Sequence, residues 1–386
     1  MNTTEDFSTY VGQVEAKSGY QKPTAFALGL RRKRGETTLD VFYPHINYES
    51  SYGTAAVVAD VSSKSSYGEN GYVVLSPNQI SDALDKFAPF KGDGKKHDNI
   101  DVLNALSVKS NSSNGYSDTD VIAYFMYDTS TAVETPEEGY FKTQCISQLK
   151  VKPHQINCGG IFGKMNNIAW TNQGPILPED LAQVKISATL RGDELVVSHV
   201  DKFPYMVNYY IPDGVRVVSG SQVRLGAHLS SGTTVMPAGY VNFNAGTLGS
   251  AMIEGRVSGG VVVGNQSDIG GGASIMGTLS GGNKNVISIG ENCLLGANAG
   301  TGISLGDGCT VAAGVYITSA AKVSLYNKDK QPVNINGDLV ADGENVVKGA
   351  ELDGRSYMLY YNDSMSGKLI GRPNTKTIEL NESLHA

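Results

Sequence analysis

The chain has 386 residues, a formal net charge of −7 at pH 7 and an isoelectric point near 5.4. This length is sufficient for two or three domains with apolar cores. The acidic balance argues against a general nucleic-acid-binding protein, because no basic stripe offsets it.

The first half of the chain has the pattern of a mixed α/β fold. Apolar, β-branched and aromatic runs predict buried strands, and a Ser-Pro pair predicts a helix start. The predicted elements are strands over Thr38–Tyr43 and Val121–Tyr127, a helix over Asn78–Phe87 preceded by Ser76 and Pro77, and a helix from Pro178 through Ile186. The basic cluster RRKR at residues 31–34 is predicted to be a solvated loop.

A six-residue repeat of small aliphatic side chains occupies the second half. It is typical of a parallel β-helix, in which each short strand stacks its inward residue on the strand one coil away. The repeated positions are Val217, Val223, Leu229, Val235 and Val241, then, after a shift of phase, Val257, Val263, Ile269 and Ile275, and, after a gap at Gly281, Ile287, Cys293, Ala299, Leu305, Val311, Ile317 and Val323. The region is also dense in glycine, which tight corners require.

These patterns predict four regions along the chain. They are an N-terminal α/β domain over 1–110, an α/β connecting region over 111–213, a β-helix over 214–325 and a C-terminal β extension over 326–386. Within the extension, Tyr357–Asn362 and Lys368–Gly371 are predicted to form a hairpin.

The cysteines and the N-terminus bear on the cellular compartment. Cys145, Cys158, Cys293 and Cys309 show no metal-ligand spacing, so we expect buried free thiols in a reducing environment. The polar N-terminal sequence lacks a signal-peptide core, and no apolar run reaches the roughly 18 residues of a membrane span. We therefore expect a cytoplasmic protein that does not bind membranes.

Glu254 is the strongest candidate for a catalytic residue. It is the only acidic side chain between Asp213 and Asp268, and it falls where the repeat changes phase. A carboxylate against an apolar wall is a better proton acceptor at neutral pH. Arg256 is predicted to project from the same strand face, where it would orient Glu254 or bind a substrate carboxylate. The alternative without a catalytic role is a surface ion pair between the two.

His228 is the rival candidate, because it is the one histidine within the repeat and imidazole is the usual general base. Its alternative is a hydrogen-bonded structural side chain. A three-histidine zinc site is excluded by counting, since the other histidines are expected outside the stack. Asn242 and Asn244 alternate onto one face, either as an inward ladder or as amides presented to a ligand.

Several segments resemble the tetrahydrodipicolinate N-succinyltransferase family, in the branch with a longer N-terminal region. The motifs are, in order, VNFNAGTLG at 241–249, EGR at 254–256, GGGASIMGTLSGG at 270–282 and GENCLLGANAGTGISLGD at 290–307. The resemblance implies a left-handed parallel β-helix (hexapeptide repeats) with an N-terminal α/β region and a short C-terminal β extension, assembled as a homotrimer. It also implies succinyl transfer from succinyl-CoA to the amino group of tetrahydrodipicolinate, in lysine and diaminopimelate biosynthesis.

The resemblance carries residue roles as well. The family's catalytic glutamate falls on Glu254, described either as a base or as the carboxylate that accepts the acyl group. The implied acyl-CoA contacts are Arg256, Gly271, Ser274, Gly277, Ala297, Ala312, Ala313, Ala320 and Lys348. Succinyl-CoA is then a co-substrate, and no permanently bound cofactor is expected.

This chain departs from the family pattern at two places. Where some members hold a metal through acidic residues, Ser221 and Ala238 stand here, so no metal is predicted. Where some members place basic residues in the hairpin, Tyr361 and Asn362 stand here, which leaves the binding of the CoA phosphates without an assigned partner.

Two other functions remain open at this stage. An acyltransferase that moves an acetyl group from acetyl-CoA to an amino sugar would share the repeat but depend on a histidine such as His228. A non-catalytic hexapeptide scaffold would bind protein partners through a flat wall, and it predicts an exposed apolar patch and no turnover.

Overall fold

The computed structural model describes residues 1–108, 115–277 and 286–375. The chain divides into two units. The first comprises Met1–Cys145 and Gln155–Pro204, and the second comprises Ile146–His154 and Tyr205–Ala386. Across the described ranges, every helix is too short or too polar to cross a bilayer.

The first unit contains both helices and strands. Its strands are β1 (Ala25–Arg34), β2 (Thr37–Tyr48), β3 (Gly71–Leu75), β4 (Asp118–Met126), β5 (Ile168–Thr171), β6 (Gly174–Ile176) and β7 (Val197–Asp201). The helices are α1 (Thr4–Glu15), α2 (Tyr52–Val61), α3 (Pro77–Lys86), α4 (Asp98–Ser107), α5 (Pro136–Ser147), which continues into the second unit, α6 (Ile161–Lys164) and α7 (Leu181–Arg191). Short 3-10 turns occur at Ala88–Phe90 and Pro178–Asp180.

The core of this unit is an antiparallel sheet in the order β2-β1-β4-β3. Phe26 and Phe125 on one face pack with buried residues of α2, α3 and α4. On β2 and β4, Tyr43 and Tyr124 contact Phe141 of α5, with ring centroids 5.3 and 4.7 Å from its ring. Apolar burial on both faces explains why the strands are rich in aromatic and β-branched residues. A second antiparallel sheet has the order β6-β5-β7.

The predicted elements of this half are confirmed. The two predicted strands lie within β2 and β4, apart from Tyr127, which follows the end of β4. Helix α3 has Ser76 as its N-cap, whose Oγ accepts the Gln79 N–H at 3.3 Å, while Gln79 Oε1 accepts the Ser76 N–H at 2.8 Å. This reciprocal capping box is the reason the helix begins there. The last predicted helix is the 3-10 turn at Pro178 followed by α7.

The prediction of a loop at the basic cluster is wrong, because these residues lie in β1. Arg31 is only 8% exposed. Its guanidinium binds Asp120 at 2.6 Å and Glu137 at 3.1 Å, and Arg32 binds Asp40 at 2.6 Å. Acids on other elements therefore neutralise the cluster, Asp40 on β2, Asp120 on β4 and Glu137 on α5, which the charge pattern of residues 31–34 does not reveal.

The second unit is built from very short strands. They are β8 (Arg216–Val217), β9 (His228–Leu229), β10 (Thr233–Val235), β11 (Tyr240–Val241), β12 (Gly246–Thr247), β13 (Ala251–Ile253), β14 (Arg256–Val257), β15 (Val262–Val263), β16 (Ser267–Ile269), β17 (Ser274–Ile275), β18 (Ser288–Ile289), β19 (Leu294–Leu295), β20 (Gly300–Thr301), β21 (Thr310–Val311), β22 (Tyr316–Ile317), β23 (Lys322–Leu325), β24 (Val346–Lys348), β25 (Met358–Asn362) and β26 (Leu369–Pro373). It also contains 3-10 turns at Met206–Asn208, Gly220–Gln222 and Gly349–Leu352.

These strands form three parallel walls that the chain visits in turn. The first wall contains β8, β10, β13, β16, β19 and β21, the second β11, β14, β17, β20 and β22, and the third β9, β12, β15 and β18. One inward residue stacks on its equivalent in the next coil, as in the register of Val235, Ile253 and Ile269 on the first wall. The repeat region is therefore a stack of three-walled parallel coils with an aliphatic core.

Over part of the stack, the residues that pair between coils are not the ones that the six-residue spacing predicts. The inward residues that pair between coils are Ile289, Leu295 and Thr301, each two residues after the predicted Ile287, Cys293 and Ala299. Both sets are buried, because alternate residues of a strand point the same way. The predicted gap at Gly281 lies outside the described residues.

The corner that carries Glu254 is shorter than a regular corner. On the preceding coil, the inward residues Val235 and Val241 are six residues apart, whereas Ile253 and Val257 are four apart. A second four-residue spacing separates the inward residues Thr301 and Leu305. From Leu305 onward, the inward residues are again those that the repeat predicts. The predicted shift of phase is thus the shortened corner at Glu254 and Gly255.

The predicted C-terminal hairpin is confirmed. Strands β25 and β26 pair antiparallel, and the Gly367 N–H donates to the Asp363 carbonyl at 2.7 Å in the turn between them. Strand β25 also continues the first wall, with Tyr360 in register with Val311 of β21.

Candidate active site

The corner between the first and second walls brings together half of the predicted site residues. We call it the first corner, and it comprises Glu254, Gly270–Gly272, Gly296–Asn298 and Ala312–Gly314 in successive coils. Backbone hydrogen bonds connect these coils: Gly272 N–H to Glu254 O at 3.1 Å, Asn298 N–H to Gly271 O at 2.9 Å, and Gly314 N–H to Ala297 O at 2.9 Å. The predicted Glu254, Gly271, Ala297, Ala312 and Ala313 therefore form one continuous column.

Glu254 is half-buried at the top of this column. Its N–H donates to Ile269 O at 2.7 Å. Its side-chain Oε2 lies 3.5 Å from the position that a Cβ of Gly271 would occupy. The next residue, Gly255, is buried so close to the following coil that a Cβ there would lie 2.5 Å from Ala273 O. The short corner thus fixes the Glu254 backbone while its carboxylate stays accessible above a glycine.

Arg256 and Ser274 are neighbours on the outer face of the second wall. Arg256 is exposed and pairs in register with Tyr240 on one side and Ser274 on the other. The prediction that Arg256 projects from the same strand face as Glu254 is wrong, because β13 ends at Ile253 and the chain turns before β14 begins. Within the described residues Glu254 and Arg256 form no ion pair, so the guanidinium is not neutralised by this carboxylate.

The remaining predicted residues lie at the other edge of the second wall. We name the turn that follows a strand of the second wall the second corner; it contains Gly277, after β17, and Ala320, after β22. A Cβ on Gly277 would lie 3.2 Å from Gly259 O of the preceding coil. Lys348 is exposed at the end of β24, and the next residue, Gly349, donates its N–H to Ala321 O at 2.8 Å. The predicted residues therefore border one wall, its two corners and the strand that adjoins it.

Sequence reasoning did not single out Tyr240, Gly300 and Tyr316, which complete the outer ladder of this wall. The register runs Tyr240, Arg256, Ser274, Gly300 and Tyr316. The Tyr316 ring lies directly over Gly300, at a site where any Cβ would collide with the ring. The sequence could have identified them, because each of these residues directly precedes an inward residue of its strand and therefore points outward.

His228 belongs to a different wall. It is 6% exposed on β9 of the third wall, and its Nδ1–H donates to Thr247 O at 2.9 Å. Burial lowers the pKa of this histidine. A neutral ring whose Nδ1–H is bound to a backbone carbonyl has the features of a structural histidine.

Hydrogen bonds define the positions of three polar residues beside the stack. His154 precedes the coils in sequence, as predicted, and it contacts them through its Nε2–H, which donates to Gly260 O at 2.6 Å. Asn242 and Asn244 do not form an inward ladder. They are half-buried in a corner, where Asn242 Oδ1 accepts from Arg224 at 3.2 Å and Asn244 Oδ1 accepts the His154 N–H at 3.0 Å.

The four cysteines are buried and free, as predicted. Cys293 and Cys309 occupy equivalent positions in adjacent coils, and their thiols donate to Gly306 O and Arg355 O, each at 3.1 Å. In the part of the chain that the structure describes, no group of three or more His, Cys, Asp or Glu side chains is placed to hold a metal ion.

Three family models match parts of the chain. The family model "Tetrahydrodipicolinate N-succinyltransferase N-terminal" matches residues 5–163, "Tetrahydrodipicolinate N-succinyltransferase middle" matches 165–205, and "Hexapeptide repeat of succinyl-transferase" matches 286–319. Together they match residues in both units.

Relatives named 2,3,4,5-tetrahydropyridine-2,6-dicarboxylate N-succinyltransferase match the chain over long stretches. The protein from Sulfurovum sp. is 37% identical, covering 99% of this chain and 98% of the relative. The protein from Vibrio cholerae is 54% identical, covering 64% of this chain and 69% of the relative.

A crystal structure from Campylobacter jejuni, assigned as a 2,3,4,5-tetrahydropyridine-2-carboxylate N-succinyltransferase, superposes with a TM-score of 0.87 at 36% identity. It covers 98% of this chain and 99% of that chain. The hexapeptide stack and the agreement in sequence and structure over nearly the whole length lead to one conclusion: the chain belongs to the tetrahydrodipicolinate N-succinyltransferase family.

Proposed function

We propose that the chain transfers a succinyl group from succinyl-CoA to the amino group of tetrahydrodipicolinate, with Glu254 as the catalytic residue. The observation that carries the proposal is the position of the Glu254 carboxylate above Gly271, at the edge of the wall that carries Arg256 and Ser274. This arrangement gives a proton acceptor, an exposed cation and an open backbone surface at one place.

The reaction needs a base and a fixed thioester. In the proposed reaction the amine nitrogen attacks the thioester carbonyl, so a C–N bond forms and the C–S bond to CoA breaks. Glu254 accepts the proton that the amine loses, and that proton is passed to the departing CoA thiolate. A positioned base of this kind contributes about 10²- to 10⁴-fold to the rate.

Arg256 supplies the specificity for succinyl in this proposal. A succinyl thioester ends in a carboxylate, and a guanidinium binds a carboxylate with two parallel hydrogen bonds. Arg256 is exposed and stands next to Ser274 on the outer ladder, one strand from the coil of Gly271. Binding both ends of the acyl group would fix it near Glu254, and such positioning can supply up to about 7–11 kcal/mol of the barrier reduction.

The rest of the assignment follows the family. We propose that the stack is a left-handed β-helix, that the chain forms a cytoplasmic homotrimer, and that the sites lie at grooves between subunits. Exposed large apolar side chains on the stack are consistent with subunit contacts, among them Val218 at 54% and Leu248 at 40% exposure. The mass of the particle in solution, measured by light scattering, tests the trimer.

The decisive experiment follows free thiol in a mixture of the purified chain, succinyl-CoA and tetrahydrodipicolinate. The expected result is rapid thiol release that requires both substrates, with much slower release from acetyl-CoA. Absence of release from a folded protein would refute the proposed activity. Release with an amino sugar and acetyl-CoA instead would support the other class of acyltransferase.

A further inference from the structure

Two lysines face each other across the β23–β24 ladder, next to the end of the second wall. Lys322 of β23 is the antiparallel partner of Lys348 of β24. Side chains that are directly opposite in an antiparallel pair lie on the same face, with Cβ atoms about 4.5–5.5 Å apart. Both lysines are exposed. Like charges so placed repel each other, and this repulsion destabilises the pair.

Neither ammonium group has an acidic side chain within ion-pair distance among the residues that the structure describes. The nearest acid along the chain on the Lys348 side, Glu351, uses its Oε1 to accept the backbone N–H of Lys348 at 2.8 Å. Among the described residues, the ladder thus holds two adjacent ammonium groups without an ion-pair partner, which is the arrangement that a phosphate group would neutralise.

The backbone around the pair is held by the stack. The Gly349 N–H donates to Ala321 O at 2.8 Å, and the Ala350 N–H donates to Ser319 O at 2.9 Å. A Cβ on Gly349 would collide with Thr318 O, so β24 lies directly on the second corner. The two ammonium groups are therefore presented from a fixed ladder beside Ala320, and not from a loop.

The location fits the far end of an acyl-CoA that reacts at Glu254. From Arg256 the outer ladder passes Ser274 and Gly300 to Tyr316, three strand spacings or about 14 Å. The lysine pair follows one turn after Tyr316. In CoA, a long flexible arm separates the thioester from the diphosphate and the 3′-phosphate, so the phosphates must lie well away from the reacting carbonyl.

We infer that Lys322, together with Lys348, binds the phosphate groups of CoA, in place of the basic hairpin residues that this chain replaces by Tyr361 and Asn362. This inference rests on the proposed function and adds to it a residue, Lys322, that the resemblance did not assign.

The test compares two acyl donors, succinyl-CoA and succinyl-pantetheine, which carries the same thioester without the nucleotide and its diphosphate. Lys322→Ala is expected to raise the KM for succinyl-CoA about tenfold, with kcat little changed, and to leave the kinetics of succinyl-pantetheine unchanged. Lys322→Arg keeps the charge and should restore a KM near the wild-type value. Lys328→Ala removes an exposed lysine from the loop that follows β23, and it should affect neither donor.

Two further readouts separate phosphate binding from a structural role. Adenosine 3′,5′-bisphosphate should inhibit the wild type competitively with succinyl-CoA and should inhibit Lys322→Ala about tenfold more weakly. The variant should melt no lower than the wild type, because it removes a repulsion.

An unchanged KM for succinyl-CoA in Lys322→Ala would overturn the inference while wild-type turnover still supported the proposed function. Equal losses with both donors would overturn it as well. If the wild type showed no turnover of succinyl-CoA, the proposed function itself would fail.

Discussion

The carboxylate of Glu254 lies over Gly271 of the following coil, with Oε2 3.5 Å from the place where a Cβ of residue 271 would be. No other described atom outside the adjacent residues lies within 4 Å of that place, and Gly271 does not have a positive φ, in contrast to Gly272 with φ +73°. A methyl group is therefore compatible with the backbone at 271, but it would occupy the space beside the carboxylate.

We predict that Gly271→Ala lowers kcat/KM for succinyl transfer by about tenfold or more while the protein stays folded. The added methyl group would displace either Glu254 or the thioester, and a displacement of about 1 Å can cost on the order of 10²-fold in rate. Steady-state kinetics with succinyl-CoA and a thermal melt of the same sample measure both effects. Full activity would show that the reacting carbonyl does not lie above Gly271.

Gly255→Ala is the matched control. Its Cβ would lie 2.5 Å from Ala273 O, so the coils must separate for the variant to fold. Overpacking of this kind typically costs about 1–3 kcal/mol of stability. The control should lower the melting temperature, whereas Gly271→Ala should not.

The stack was predictable because its physical cause is local. Each coil contributes aliphatic residues to a core that it shares with the neighbouring coils. Residues such as Val235 and Ile269 therefore recur at regular spacing in a sequence that folds this way. A six-residue spacing does not show which of two buried residues in a strand pairs with the neighbouring coil. The predicted repeat therefore included Cys293, whereas Leu295 is the residue that pairs with Ile269. The interruption of the six-residue spacing correctly indicated the corner of Glu254, because the inward residues on either side of it, Ile253 and Val257, are only four residues apart.

Relations between distant residues were not predictable from local patterns. The cluster at 31–34 is a strand because Asp120 and Glu137 come from elsewhere in the chain to neutralise Arg31. Likewise, Glu254 and Arg256 are two residues apart in sequence, but Glu254 lies in the first corner and Arg256 begins β14 of the second wall. The site that we propose for them also includes Gly271 and Ser274 of the next coil.

Replacement of Glu254 separates the proposed mechanism from a histidine mechanism. Glu254→Gln keeps the size of the side chain but cannot accept a proton, so kcat should fall by about 10²- to 10⁴-fold with a small change in KM. His228→Asn should retain most of its kcat per folded molecule, because His228 lies on the third wall with its Nδ1–H bound to Thr247 O. The opposite result, full rate in Glu254→Gln and none in His228→Asn, would indicate an amino-sugar type of acyltransferase.

Arg256 should determine the preference for a succinyl over an acetyl donor. In Arg256→Ala we predict a loss of about tenfold or more in kcat/KM with succinyl-CoA and little change with acetyl-CoA, which has no carboxylate to bind. Arg256→Lys should recover part of the loss, because an ammonium keeps the charge but not the planar fork. If the ratio between the two donors stays at its wild-type value in Arg256→Ala, another group binds the succinyl carboxylate.

Thiol release from succinyl-CoA in the absence of the amine distinguishes whether Glu254 acts as a base or attacks the thioester. If Glu254 acts as a base, thiol release requires the amine, and mixing enzyme with succinyl-CoA should give no burst of thiol within the time of several turnovers. If Glu254 instead attacks the thioester, one equivalent of thiol per active site should appear before the amine is added. We predict no burst, and rapid-quench measurement at enzyme concentrations above about 10 μM would detect one.

His228 should make stability depend on pH in a defined direction. Burial is the main cause of its lowered pKa, so the folded protein holds the ring neutral below the ordinary value of about 6.5. The unfolded chain therefore binds the proton more readily as the pH falls below about 6.5. The stability that the neutral ring contributes is fully present above that value and is lost as the pH falls toward the folded-state pKa.

We therefore predict that the free energy of unfolding in urea decreases from pH 7.5 to pH 5.5, and that His228→Asn reduces the decrease. Asparagine can donate to Thr247 O but does not titrate. The variant therefore keeps the hydrogen bond, while residue 228 no longer makes the free energy of unfolding depend on pH. Circular dichroism at pH 7.5 establishes that the variant is folded, and parallel urea titrations at the two pH values give the difference. An equal decrease in the wild type and the variant would mean that the histidine takes up its proton in the folded state as readily as in the unfolded chain.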